Sequence, residues 1–155
     1  MTLSTKIIIA IIGALIIGGL SGFLTADAIQ NYYLTLKKPS WNPPNGIFGP
    51  VWTVLYIMMG VAFALIWNQQ DTAVRTQAML LFGIQITLNF FWSLIFFRWQ
   101  SPAWALVEIL VMLVFIVLTV LAFQKLNKTA AYLMLPYLCW VSFASFLNFT
   151  IWKLN

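Results

Sequence analysis

The chain contains no histidine. That removes the side chain that most often ligates metals and most often acts as a general base near neutral pH. Haem held by an axial imidazole is excluded with it. Acidic residues are almost as scarce. Asp and Glu together number three against eight Lys and Arg, and charged residues make up only 7% of the 155. A water-soluble domain carries about a quarter charged residues and could not cover so apolar an interior. The single cysteine, Cys139, rules out an internal disulfide and reads as a small buried hydrophobe. Paired carboxylates, a catalytic triad, a metal-ligand cluster and a phosphate-cradling glycine loop are all missing from the sequence. Hydrolysis and phosphoryl transfer are therefore not expected, and neither is a metal site.

What the chain has in excess is apolar surface, at 63% of residues and a mean hydropathy of +0.94. The basic residues fall singly or in pairs, which suits lipid headgroups and gives no sign of nucleic-acid binding. Five apolar stretches can cross a hydrocarbon layer roughly 30 Å thick. The expected fold is an all-α membrane protein, a single five-transmembrane-helix bundle with spans over 7–26, 50–67, 77–97, 103–123 and 129–152. Lys6, the first apolar run and Ala26-Asp27-Ala28 imitate a secretion signal. The run exceeds the roughly 7–15 residues of such a signal, so it reads as a true span. Its small residues recur at every fourth position: Ala10, Ala14, Gly18, Gly22 and Ala26. Such a stripe admits another helix backbone, either from this chain or from a second copy. Ser101-Pro102 predicts a capped helix start, and Pro136 a bend in the last span. Orientation is not readable. Lys6, Arg75, Lys125 and Lys128 on one face balance Lys37, Lys38, Arg98 and Lys153 on the other. The absence of long tails and of a transit peptide points to a bacterial cell membrane.

Between the first two spans lies a long loop, 27–49, stiffened by Pro39, Pro43 and Pro44. Gly49-Pro50 reads as a helix start, since proline at the first position loses a donor that had no partner anyway. The loop carries Tyr32, Tyr33, Lys37, Lys38 and Trp41, which either anchor at the interface or roof a pocket.

Helical spacing sorts the remaining polar and aromatic residues by face, and the rise of 1.5 Å per residue sorts them by depth. Asn89, Trp92, Trp104, Glu108, Trp140 and Asn148 all fall in the half of the bilayer beneath the loop. Polar groups at that depth should point inward, toward a partner or a cavity. Trp92 and Trp140 lie too deep for an interfacial belt and read as pocket walls. Trp67, Trp99, Trp104 and Trp152 lie near span ends, where a belt role competes. Asn89 and Asn148 either face the pocket or join helix to helix. Glu108, the only charge within a span, needs either a partner such as Arg98 or a proton. Two Asn-x-Thr triplets, at Asn127 and Asn148, lie in a tight turn and a span and are set aside as glycosylation sites.

These residues resemble a known signature. Lys38-Pro39-Ser40-Trp41-Asn42-Pro43-Pro44, Gly49-Pro50-Val51-Trp52 with Leu55-Tyr56 and Met59-Gly60, and Pro136-Tyr137-Leu138 with Trp140 are similar to the translocator protein family. Leu88-Asn89 with Trp92, Trp104-Ala105-Leu106-Val107, Phe143-Ala144 and Leu147-Asn148 extend the likeness over nearly the whole chain. The family is also called the peripheral-type benzodiazepine receptor or tryptophan-rich sensory protein family. The resemblance implies five transmembrane helices, a homodimer, and a pocket below the first loop. It implies binding of protoporphyrin IX, isoquinoline carboxamides and benzodiazepines, and in bacterial relatives a light- and oxygen-dependent breakdown of porphyrin. Carried over by position, the pocket residues are Tyr33, Trp41, Trp52, Asn89, Trp92, Trp104, Trp140, Ala144 and Leu147. Glu108 stands where animal members carry aspartate. The animal sterol motif is incomplete, because Phe149 replaces its tyrosine between Leu147 and Lys153.

The sequence therefore leads to an expected membrane receptor for porphyrin, with indoles against the macrocycle, Asn89 orienting it and Lys37 and Lys38 near its propionates. No cofactor is obligatory; porphyrin is ligand or substrate. Any catalysis is expected to be photochemical, with Trp52 and Trp140 donating or shuttling electrons. Two other classes stay open. A transporter of lipophilic molecules would show ligand flux in sealed vesicles, although no inverted repeat is present. A non-catalytic sensor would bind porphyrin with no change in its absorbance under light.

Overall fold

The computed structural model describes residues 1–155 and consists of five long helices with no strand. They are α1 (Leu3–Asn31), α2 (Asn45–Trp67), α3 (Ala73–Ser93), α4 (Pro102–Gln124) and α5 (Lys128–Leu154). Each is long and apolar enough to cross a membrane. Side-chain caps fix four of the starts: Thr2, Thr72, Ser101 and Asn127 each accept a bond from the backbone N–H three residues on. Asn127, the first of the triplet asparagines, is thereby occupied as the cap of α5.

The helices pack as a ring in the order α1, α2, α5, α4, α3. The ring closes on α1 through a π-helical turn, Leu94–Arg98, that extends α3. In that turn the Trp99 N–H reaches back five residues to the Leu94 carbonyl at 2.8 Å. The backbone then reverses through Gln100, whose φ is +53°. The expected single helix to 97 thus ends earlier and continues wider. The extra residue per turn rotates the rings that follow and puts Phe96 in the interior.

Two other boundaries differ from expectation. The loop is shorter than 27–49, because α1 runs on to Asn31, a 3-10 turn covers Tyr33–Thr35, and α2 begins at Asn45. Pro50 lies inside α2 and does not start it. Proline disfavours helical geometry in the preceding residue by clashing with that residue's Cβ, and Gly49 has none. The carbonyl that Pro50 cannot engage belongs to Gly46 in the exposed first turn. In α5 the helix likewise continues through Pro136.

The α1 stripe finds a partner within the chain. A Cβ on Gly60 of α2 would sit 2.7 Å from the Ile11 Cα and 2.8 Å from the Ile11 nitrogen. At Gly18 it would run into the Tyr56 ring, and Ala14 is buried at the same seam. Glycine is needed at both points so that backbone and ring can approach. The main core draws on all five helices, with Met59, Ile66, Met112, Ile116 and Met134 contributed by α2, α4 and α5. A smaller cluster of Tyr33, Phe96, Ala105, Leu147 and Ile151 lies under the loop. Cys139 is exposed on α5, contrary to the buried position expected. A thiol is apolar enough to face lipid without cost.

Candidate ligand cavity

Residues of both clusters border a cavity of about 480 Å³ in the loop-side half of the bundle. All five helices contribute to its wall. Trp52 on α2 and Trp140 on α5 meet edge to face, their ring centres 6.5 Å apart at 89°. Tyr56 stacks beside Trp52 at 5.6 Å, and Phe48 closes on Trp140 from the first turn of α2. On the far wall Trp92 lies against Phe96 of the π turn at 5.2 Å. Of the indoles that depth placed beneath the loop, Trp92 and Trp140 converge with Trp52 on one space.

The polar side of that space is a chain of buried side chains running from helix to helix. The Tyr56 hydroxyl donates to Asn89 Oδ1, and Asn89 Nδ2 donates to the Tyr137 oxygen at 3.0 Å. Tyr137 in turn donates to Gln85 Oε1 at 2.8 Å, and Gln85 Nε2 ends against the Met59 sulfur at 3.9 Å. Every donor points the same way along this chain, so each bond polarises the next. Asn89 spends one N–H and one lone pair on the tyrosines and keeps one of each, on a side chain that lines the cavity. Asn148 makes a second clamp. It accepts from Trp92 Nε1 at 3.0 Å and donates to the Pro102 carbonyl at 2.9 Å, which fixes the Trp92 ring between α4 and α5.

Of the residues expected at the site, the structure brings Tyr33, Trp52, Asn89, Trp92, Trp140, Ala144, Leu147 and Asn148 to the cavity lining. Three are not brought there. Trp104 is 70% exposed on the outer face of α4, the position of a belt residue, as are Trp99 and Trp152 at neighbouring span ends. Trp41 lies over α5, stacked on Phe146 at 5.2 Å and edge-on to Phe143. Glu108 is not among the residues that line the cavity. Its two oxygens are buried, and no donor of the chain reaches them. Arg98, the partner considered for it, bonds the Leu24 carbonyl at 3.4 Å instead.

Sequence reasoning missed the α1 wall, where Gly18, Ser21, Gly22 and Thr25 line the cavity. The signal was the pair of hydroxyls, Ser21 and Thr25, set one turn apart inside the small-residue stripe. Thr25 is satisfied by the Ser21 carbonyl at 2.8 Å, and Ser21 reaches the Phe90 carbonyl of α3 at 3.4 Å. Tyr56 was visible on the Trp52 face at helical spacing but was not assigned to the site.

No charged side chain lines the cavity. Lys38 is committed to the loop itself: its ammonium donates to the Tyr33 and Leu36 carbonyls at 2.8 and 3.1 Å and lies 4.6 Å from the Tyr33 ring centre. Lys37 is exposed, and its backbone is held by the Asn155 side chain at 3.0 and 2.9 Å.

The profile of the TspO/MBR family matches residues 8–153. The chain belongs to the TspO/MBR family. It is 50% identical over 145 residues to the Tryptophan-rich protein TspO of Chlorobaculum tepidum, covering 91% of this chain and 90% of that one. The Translocator protein of Homo sapiens is 36% identical over 137 residues, with 87% and 80% covered. A Tryptophan-rich sensory protein of Cereibacter sphaeroides is 36% identical over 126 residues, with 81% and 78% covered. Membership of this family and five apolar helices make the protein an integral multi-pass membrane protein.

Proposed function

We propose that this TspO/MBR protein is a membrane receptor for a metal-free tetrapyrrole such as protoporphyrin IX, and that it can degrade the bound ring under light. The observation that carries the reading is the uncharged cavity walled by Trp52, Trp92 and Trp140. A flat conjugated ligand gains most from aromatic walls, and the spare N–H and lone pair of Asn89 match a ring that carries both pyrrole donors and imine acceptors. Because the lining has no cation, the propionates must stay at the mouth, in reach of water and of lysines such as Lys37. With no histidine in the chain, haem gains no imidazole bond here. The same cavity suits the apolar, amide-bearing drugs that the family resemblance suggests.

The proposed chemistry uses dioxygen as the oxidant. The photoexcited ring takes one electron from the indole of Trp52 or Trp140 and passes it to dioxygen, giving superoxide. The indole radical cation recovers its electron from the ring, leaving a ring radical cation. Combination of that cation with superoxide adds both oxygen atoms across one methine bridge, and cleavage of that bond leaves two carbonyls. The net reaction is one ring plus one dioxygen, with each tryptophan returned unchanged.

The test is a light-minus-dark absorbance series on purified protein with protoporphyrin IX, on the parent chain and on Trp52→Phe and Trp140→Phe. Light-driven loss of the porphyrin band that slows in either variant, with binding kept, supports the catalytic reading. Loss at equal rate in both variants rejects the indole mechanism. Binding with no loss in the parent chain leaves a receptor or sensor and removes the enzyme.

A further inference from the structure

A second, smaller cleft of about 190 Å³ opens at the other face of the membrane, where the C-terminal end of α4 meets the N-terminal end of α5. Its walls change character with depth. Gln124 and Lys128 lie at the helix ends, where a bilayer places its headgroups. Val120 on α4 and Ala131 and Leu135 on α5 lie progressively further in. On α5 the residues Lys128, Ala131, Tyr132 and Leu135 fall on one helical face, so one straight groove about 10 Å long runs from the ammonium to the Leu135 side chain. Tyr132, also in the groove wall, has the apolar ring and polar tip that favour the headgroup boundary.

The charge at this mouth is uncompensated. The one ion pair of the chain joins Arg75 to Asp71 at 3.0 Å, and Asp71 is the only carboxylate at this face. Lys128 and its neighbour Lys125, in the turn between α4 and α5, have no acidic partner and make no side-chain hydrogen bond within the chain. A cation above an apolar groove, aligned with the membrane normal, is the complement of a molecule with an anionic head and a hydrocarbon tail.

We propose that this cleft is a binding site for an anionic phospholipid, with the phosphate at Lys128 and one acyl chain laid along Val120, Ala131 and Leu135. Free phosphate would gain nothing from the apolar part of the groove, and a volume of about 190 Å³ is too small for a helix of another protein. The site is at the opposite face from the indole cavity and does not depend on its ligand.

The experiment is native mass spectrometry of the full chain in detergent, titrated with dioleoylphosphatidylglycerol, dioleoylphosphatidylcholine or glycerol 3-phosphate. Retention of the anionic lipid should exceed that of the zwitterionic one by about fivefold, the factor that one lysine near an anionic headgroup contributes. Lys128→Gln should bring the two lipids level, Lys128→Arg should keep the preference, and Lys37→Gln on the other face should leave it intact. Leu135→Trp, which fills the groove, should lower retention of both lipids. Equal retention of the two lipids by the parent chain overturns the proposal, as does a preference that survives Lys128→Gln. Displacement of the lipid by glycerol 3-phosphate overturns it too, by reducing the site to a phosphate contact. If Lys128→Gln fails to fold, salt decides: the preference must disappear at high ionic strength in the parent chain.

Discussion

Replacing Tyr137 by Phe removes one oxygen from the middle of the polar chain beneath the cavity and leaves the ring in place. Two amide groups lose a partner. Gln85 Oε1 was held at 2.8 Å and Asn89 Nδ2 at 3.0 Å. They are not equivalent. Gln85 is wholly buried against Met59 and has no route to water, so it bears the full cost of an unsatisfied buried polar group, about 1–3 kcal/mol. Asn89 lines the cavity and can take a water or a ligand atom instead, so its loss is nearer the ~0.6 kcal/mol average for a hydrogen bond between membrane helices. Tyr137→Phe should therefore destabilise the fold by about 2–3 kcal/mol. Tyr56→Phe releases only the cavity-facing Asn89 oxygen and should cost less than about 1 kcal/mol. Removing both ends of the buried bond, in Tyr137→Phe with Gln85→Met, should recover most of the loss, because an apolar pair of similar shape leaves no unsatisfied group at the Gln85 end and only the smaller Asn89 loss remains. Equilibrium unfolding in mixed micelles reads all four proteins. The reasoning fails if Tyr56→Phe costs as much as Tyr137→Phe, or if the double variant is no better than Tyr137→Phe alone.

Three further perturbations test other parts of the structure. Gly60→Ala puts a methyl group against the Ile11 backbone and should cost about 1–3 kcal/mol, whereas Gly83→Ala meets no atom within 4 Å and should be neutral or stabilising in the same unfolding assay. Asn148→Ala strips Trp92 Nε1 of its acceptor and should weaken protoporphyrin IX binding about tenfold by fluorescence titration, while Trp104→Ala, on the outer face, should leave the affinity within about twofold. Because the cavity lining is uncharged, the dimethyl ester of protoporphyrin should bind about as well as the diacid, and a porphyrin with carboxylates around its whole rim should not compete for the site.

How far the sequence revealed the site depended on which coordinate of each residue it encoded. Depth was legible throughout, because 1.5 Å per residue counted from a polar helix end is nearly free of context. Rotation about the helix axis was legible only where the helix has polar residues to mark a face. On α3 the polar Asn89 marked the interior, and Trp92 followed at helical spacing. On α4 no such mark exists: nearly every residue is apolar, so the inward face of Ala105, Ile109 and Met112 has no compositional label. Trp104 bears out the belt role that its place near a span end suggested; its pocket assignment came from the family resemblance, and it lies one residue, about 100° of rotation, from the inward Ala105. Glu108 failed for want of such a label, although it is the one polar residue of the loop-side half of that helix. Its carboxylate oxygens are buried, yet it does not line the cavity. The π turn moved Phe96 and Phe97 by a similar angle, and nothing in Leu94-Ile95-Phe96-Phe97 distinguishes the wider turn from an α-helix.

The α1 wall was hidden by a different kind of ambiguity. Small residues mark where a helix can be approached closely but not by what, and the same stripe serves two neighbours here. Its first half is taken by α2, where Gly60 meets Ile11 and Tyr56 covers Gly18. Its second half, Gly22 with Ser21 and Thr25, borders empty space, and a Cβ on Gly22 would meet nothing within 4 Å. A seam that is tight at one end and open at the other gives the bundle a rigid base and a hollow loop-side half. This is why the cavity can exist in a chain that has only five helices with which to enclose it. The hydroxyls of Ser21 and Thr25 follow from that geometry, because each is satisfied by a backbone carbonyl and so adds no unpaired polar group to the wall. The indoles supply the recognising surface, but the small residues of α1 decide that there is room for a ligand beside them.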